Sequence, residues 1–178
     1  MRRPLSVIAA AMCLGLGAAT ALPAAPALAV DTIVTFAIGS AGITISAPGS
    51  VNIGTVPSGV PSISGQIGPV TVTDERGTLN GSWTATVTGE NFTTGAGTGP
   101  ETITNGNLNY SPGQATSTTG TGTFTPGPGG VINVPRVAFT GTNLSGNNTA
   151  TWDPTLTVTI PNTTVSGTYS GVITHSVG

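Results

Sequence analysis

Charge, sulfur and imidazole are all scarce in this chain, and each scarcity removes a class of function. Its 178 residues include one cysteine, one histidine, four arginines and no lysine. Cys13 lies in an N-terminal apolar run, so the rest of the chain has no thiol for a disulfide, a zinc site or a nucleophile. From residue 30 onward, only Arg76 and Arg136 stand against Asp31, Asp74, Glu75, Glu90, Glu101 and Asp153. Two isolated arginines cannot displace enough counterions to hold a polyanion at physiological salt, which argues against nucleic acid and an anionic membrane surface. Aromatic residues make up only 4% of the chain. Any core must therefore rely on aliphatic side chains and nearly every aromatic ring available.

Residues 1–29 combine Arg2 and Arg3, an apolar run from Leu5 to about Ala19, and the small-residue ending Ala27, Leu28, Ala29. This is the layout of a cleaved secretory leader. The run is shorter than the roughly 20 residues a spanning helix needs, and Pro23 and Pro26 follow it, so a transmembrane anchor is not expected. Met12 stands where a lipid-modified cysteine wants a small residue, and the arginine pair is an ordinary positive start. The expected organisation is a signal peptide over 1–29 and a single domain over 30–178, secreted and extracellular or associated with the cell surface.

What the chain has in abundance is threonine, serine, glycine and asparagine, with apolar residues at every second position. Leu156, Val158 and Ile160 alternate with threonines, as do Trp83, Ala85 and Val87, and Val70 and Val72. A period of two is a half-buried strand, and half-buried strands need a second layer. The expected fold is all-β, a two-layer β-sandwich of about ten mostly antiparallel strands. Candidate spans are 32–38, 42–46, 66–73, 82–88, 101–104, 107–110, 131–140, 148–152, 155–160 and 168–176. Asn80-Gly81 between two alternating segments predicts a type I′ hairpin that pairs them directly. Residues 111–130, rich in Gly, Thr and Pro, read as a long surface connection or an irregular edge strand.

Two stretches carry a family likeness. Residues 70–89 read VTVTDERGTLNGSWTATVTG, and the chain ends GTYSGVITHSVG. Together they resemble the WxL domain of Gram-positive surface proteins, in which a segment like VTDxRG precedes a Trp-x-Leu strand and the chain closes on Tyr-x-x-x-Leu-Thr-Trp-x-Leu. Trp83, Tyr169, Ile173 and Thr174 match, while Ala85, His175 and Val177 stand where the family has Leu, Trp and Leu. The resemblance implies a secreted module held non-covalently at the cell surface, with cell-wall peptidoglycan or other surface proteins as partners. It places Trp83 and the strand from Tyr169 to Val177 in the wall-associating part.

Catalytic chemistry has little to draw on. Asp74 and Glu75 are neighbours on a strand, so they point to opposite faces and cannot form a glycosidase pair; they are expected to solvate a turn near Arg76. His175 is the one side chain suited to acid–base work at neutral pH, and alternation sets it inward with Tyr169, Ile173 and Val177, as a hydrogen-bonded or rim residue. No Gly-x-Ser-x-Gly elbow and no calcium loop is visible. The reading is therefore a non-catalytic protein with no cofactor and no metal. Its candidate contact residues are Trp83, Trp152, Tyr169 and His175, with Trp83 expected in the core and Trp152 expected at an exposed edge. A carbohydrate-binding or adhesive domain and a structural subunit of a surface assembly are the alternatives, and the oligomeric state is left open.

Overall fold

The computed structural model describes residues 32–178. The expected leader, residues 1–29, lies outside them. Ile38–Gly178 is one compact unit, and residues 32–37 fall outside it.

Alternation yields strands throughout the compact unit. They are β1 Ile43–Ser46, β2 Ser62–Gln66, β3 Val70–Asp74, β4 Leu79–Gly89, β5 Phe92–Thr93, β6 Thr102–Ile103, β7 Leu108–Ser111, β8 Ala115–Pro126, β9 Gly130–Val131, β10 Arg136–Trp152, β11 Thr155–Thr159 and β12 Ile173–Val177. Apart from two single-turn 3₁₀ helices, Gly99–Glu101 and Asn105–Asn107, no helix interrupts them among the described residues. Every named strand pairing is antiparallel, so the all-β expectation holds.

The spine is β10, seventeen residues long and paired along both sides. β8 runs along one flank, from Phe139↔Pro126 to Trp152↔Ala115. The other flank is shared end to end: β3 pairs from Trp152↔Val70 to Asn148↔Asp74, and β4 continues from Ser145↔Leu79 to Arg136↔Val87. β1 and β12 then add to β3 and β4 respectively, forming the outer row of this six-stranded sheet. A four-stranded sheet has the order β2-β11-β7-β9, and β5 and β6 form a small ribbon. Inward residues of the two large sheets meet in one core, with Val70, Val72, Ala85, Phe139 and Trp152 from the first and Leu108, Tyr110, Leu156 and Val158 from the second.

Several expectations are corrected here. Asn80-Gly81 does not turn a hairpin, because β3 and β4 lie in line along β10 and do not pair with each other. Asn80 does take the left-handed backbone its type favours, with φ +57°, but inside an irregular stretch of β4, and Asn143 at φ +54° lies in the bulged stretch of β10 that pairs with it. The expected break at residues 141–147 is likewise a set of bulges within one strand. Of the two readings of residues 111–130, the edge strand is right: β8 pairs only with β10 and is exposed along most of its length. Residues 32–38 are not a strand. They carry a strand's alternation but pair with no strand among the described residues, and Ile33, Val34, Phe36 and Ile38 are all exposed.

Gly141 marks the tightest point of the spine. It pairs with Trp83 on one side and Phe124 on the other, and the two rings approach to 6.2 Å. A Cβ on Gly141 would lie 2.6 Å from Trp83 Cε2. Gly141→Ala should therefore destabilise the fold by about 1–3 kcal/mol, the usual range for overpacking a core. A lowered urea midpoint with an unchanged m-value is the expected observation; an unshifted midpoint would show that the ring can move aside.

Candidate functional site

Two polar clusters reach into the core, each built around a buried tryptophan. At the β3–β4 junction, Trp83 Nε1 donates to Asn148 Oδ1 at 3.0 Å and Asn148 Nδ2 donates to Asp74 Oδ2 at 3.2 Å. Arg76 closes the cluster, with Nε donating to Asp74 Oδ1 at 2.8 Å and Nη2 to Asp74 Oδ2 at 2.9 Å. Nη2 also reaches the Ser82 carbonyl at 2.8 Å. The Asp74 side chain is fully buried, so it does not solvate a turn as its neighbourhood suggests. Hydrogen bonds from Arg76 hold its carboxyl down at about 2, against the opposing effect of burial. Gly77, at φ +62°, lets the chain turn back immediately after the arginine.

In the second cluster Trp152 Nε1 donates to Tyr110 Oη at 2.9 Å, and Tyr110 Oη lies 3.1 Å from His175 Nε2. Burial pushes Tyr110 up to about 12 and His175 down to about 4, so both stay neutral around neutral pH. With its own oxygen accepting from Trp152, Tyr110 has its proton free for the bare Nε2 of a neutral imidazole. Trp152 is fully buried and stacks on Phe139 with centroids 4.8 Å apart. That corrects the expectation that it is an exposed contact residue: the Asp153-Pro154 signal marks the end of β10, and the ring turns inward from that end. Trp83 is buried as expected.

Beside the second cluster opens a cleft of about 1030 Å³, lined by Val70 and Ile173 of the larger sheet and by Ile63, Leu156 and Val158 of the smaller one. The irregular segment 47–61, with Pro48, Pro57 and Pro61, forms a further wall. Of the four candidate contact residues, Tyr169 and His175 line this cleft, and Trp83 and Trp152 do not. Tyr169 Oη donates to the carbonyls of Val165 at 2.9 Å and Pro100 at 3.2 Å, so the ring is fixed at the rim. Exposed Val51, Val165 and Val172 complete an aliphatic mouth.

Sequence reasoning missed Asn148 and the Arg76–Asp74 pair, although the spacing in TDERG was available as the signal. It also missed the cleft, which depends on how β2 and β12 end their sheets. No group of three or more metal-ligating side chains occurs among the described residues, and no helix there is long and apolar enough to cross a membrane. A scan against protein-family models, a search of curated proteins and a search of solved structures each found no match to the chain.

Stability should fall with acid in two stages. The folded pKa of His175 is depressed from 6.5 to about 4, so the unfolded chain binds the extra proton between these values and stability declines as pH falls through that window. Asp74, depressed from 3.8 to about 2, adds a second decline between those values. Urea titrations at pH 7, 5 and 3 check both. His175→Gln should flatten the upper stage, and a profile unchanged by that substitution would remove His175 as its cause. Trp152→Phe strips Tyr110 Oη of its buried donor and should cost about 1–3 kcal/mol.

Proposed function

We propose that this protein is a secreted, non-catalytic cell-surface module, a two-layer β-sandwich that works by contact, associating non-covalently with other surface proteins or with the cell wall. One observation carries the choice between these partners. Trp83, Trp152 and Tyr110 are consumed by the core, while the open, contact-ready surface is the aliphatic mouth of Val51, Val165 and Val172 around a deep cleft. Sugar polymers are gripped by exposed aromatic faces and amides, whereas an apolar cleft beside free strand edges suits a polypeptide. The favoured partner is therefore a protein. The WxL-like stretches support a surface role, and their VTDERG segment has a structural use in this chain, since Asp74 and Arg76 tie Trp83 into the core.

Peptidoglycan is the second reading, kept by Tyr169 and His175, the two candidate residues that do line the cleft. The purified chain should be retained on immobilised surface proteins extracted from the producing cell and lost by a Val172→Asp variant. It should not sediment with washed peptidoglycan. Sedimentation that Val172→Asp leaves intact would move the contact away from the cleft and restore the wall polymer as partner. N-terminal sequencing of the secreted form should begin at Val30; a chain still starting at Met1 outside the cell would remove the leader reading.

A further inference from the structure

Ten large apolar side chains are exposed among the described residues, and seven of them fall in two places. Ile33, Val34, Phe36 and Ile38 crowd one short segment, and Val51, Val165 and Val172 ring the cleft. Phe36 is 85% exposed, an unusual position for one of only four phenylalanines in the chain.

The segment 32–38, TIVTFAI, alternates like the paired strands, with Val34, Phe36 and Ile38 on one face. It has no strand partner. The row ahead of it is taken: Ala41 and Gly42 bond to Glu75 at the end of β3, and further along β4 the same flank is held by β12 and Gly178.

The cleft has the complementary deficit. β2 ends the smaller sheet and β12 lies in the outer row of the larger one, and the cleft is lined by Ile63 of β2 and by Ile173 and His175 of β12. Ile63 and Ile173, the inward residues of these two strands at the cleft, pack against the core yet remain only partly buried. That is the state of strands one neighbour short of closure.

We propose that the cleft receives the 32–38 segment of a second copy of this chain, added as an extended strand between the free edges of β2 and β12 with Val34, Phe36 and Ile38 anchored inside. This rests on the reading of the cleft as a protein-binding site and names its partner. The proposal rests also on the reading of residues 1–29 as a cleaved leader, which would leave only Val30 and Asp31 before the donor segment in the secreted form. Each copy carries one arm and one cleft, and such a contact is heterologous: it propagates head to tail unless the rotation closes a ring.

The test uses two substitutions at exposed positions, Phe36→Asp in the arm and Val172→Asp at the cleft mouth, each confirmed as folded by circular dichroism. Sedimentation velocity of the secreted wild-type chain over a concentration series should show a ladder of oligomers. Each variant alone should be monomeric or weakened at least about tenfold, as expected for loss of a buried anchor. Mixed together, the variants should form a dimer and nothing larger, because the mixture retains one intact arm and one intact cleft per pair. A wild-type chain that stays monomeric throughout overturns the proposal, as does a ladder that survives both substitutions. Should the monomeric chain still be retained on surface proteins and lose that retention with Val172→Asp, the cleft remains a protein-binding site and only the identity of its partner falls.

Discussion

The buried carboxylate of Asp74 is the constraint from which the larger sheet is built. A charge with no access to water must be matched by charge and hydrogen bonds, and Arg76, two residues on, supplies both. Arg76 lies in the short break between the end of β3 at Asp74 and the start of β4 at Leu79. That break separates β3 from β4, which lie in line along β10 with Asn148 and Trp83 completing the cluster. The interrupted row in turn offers two separate places on its far side, filled by β1 and β12.

Scarcity of aromatic residues decides what surface remains for contact. Both tryptophans bury their rings, and each finds an internal acceptor for its indole N–H, Asn148 in one case and Tyr110 in the other. A buried indole without such a partner would lose the hydrogen bond it makes in water, so each ring brings a polar companion inward with it. The companions are titratable or close to titratable groups, which is why Asp74 and His175 carry the strongest pH dependence in a chain with so few charges. Little is left over for an exposed aromatic platform, and the large apolar side chains exposed among the described residues are mostly aliphatic.

Strand content was legible in the sequence because alternation survives any arrangement of sheets. Residues such as Val70, Val72, Trp83 and Ala85 announce an inward face regardless of neighbours, and all are buried. Topology was not legible. Asn80-Gly81 signals a left-handed backbone, and Asn80 has one, yet the same conformation serves a bulge as readily as a hairpin. β8 was half hidden because it is exposed along most of its length, so its threonines and glycines show little of the apolar alternation that marks β3 or β11. The contact residues depended on burial that only tertiary structure decides: Trp152 next to Asp-Pro looks like an edge, while Tyr169 and His175 do reach a cleft.

The proposed head-to-tail strand addition would depend steeply on protein concentration. Burying Val34, Phe36 and Ile38 is worth about 1.5–3 kcal/mol each, or some 5–9 kcal/mol together before any loss. Association and the ordering of a flexible arm remove an amount in the same range, roughly 4–15 kcal/mol, so the apolar anchors alone leave a weak contact. The main-chain hydrogen bonds of an added strand, each worth about 1 kcal/mol net, then decide whether the contact forms at all. A weak contact of this kind responds steeply to local concentration. Molecules confined near one another meet at an effective concentration of about millimolar, which converts marginal pairing into a persistent chain. The low net charge of the chain, −2, favours the same outcome, since neighbouring copies carry little net repulsion to overcome.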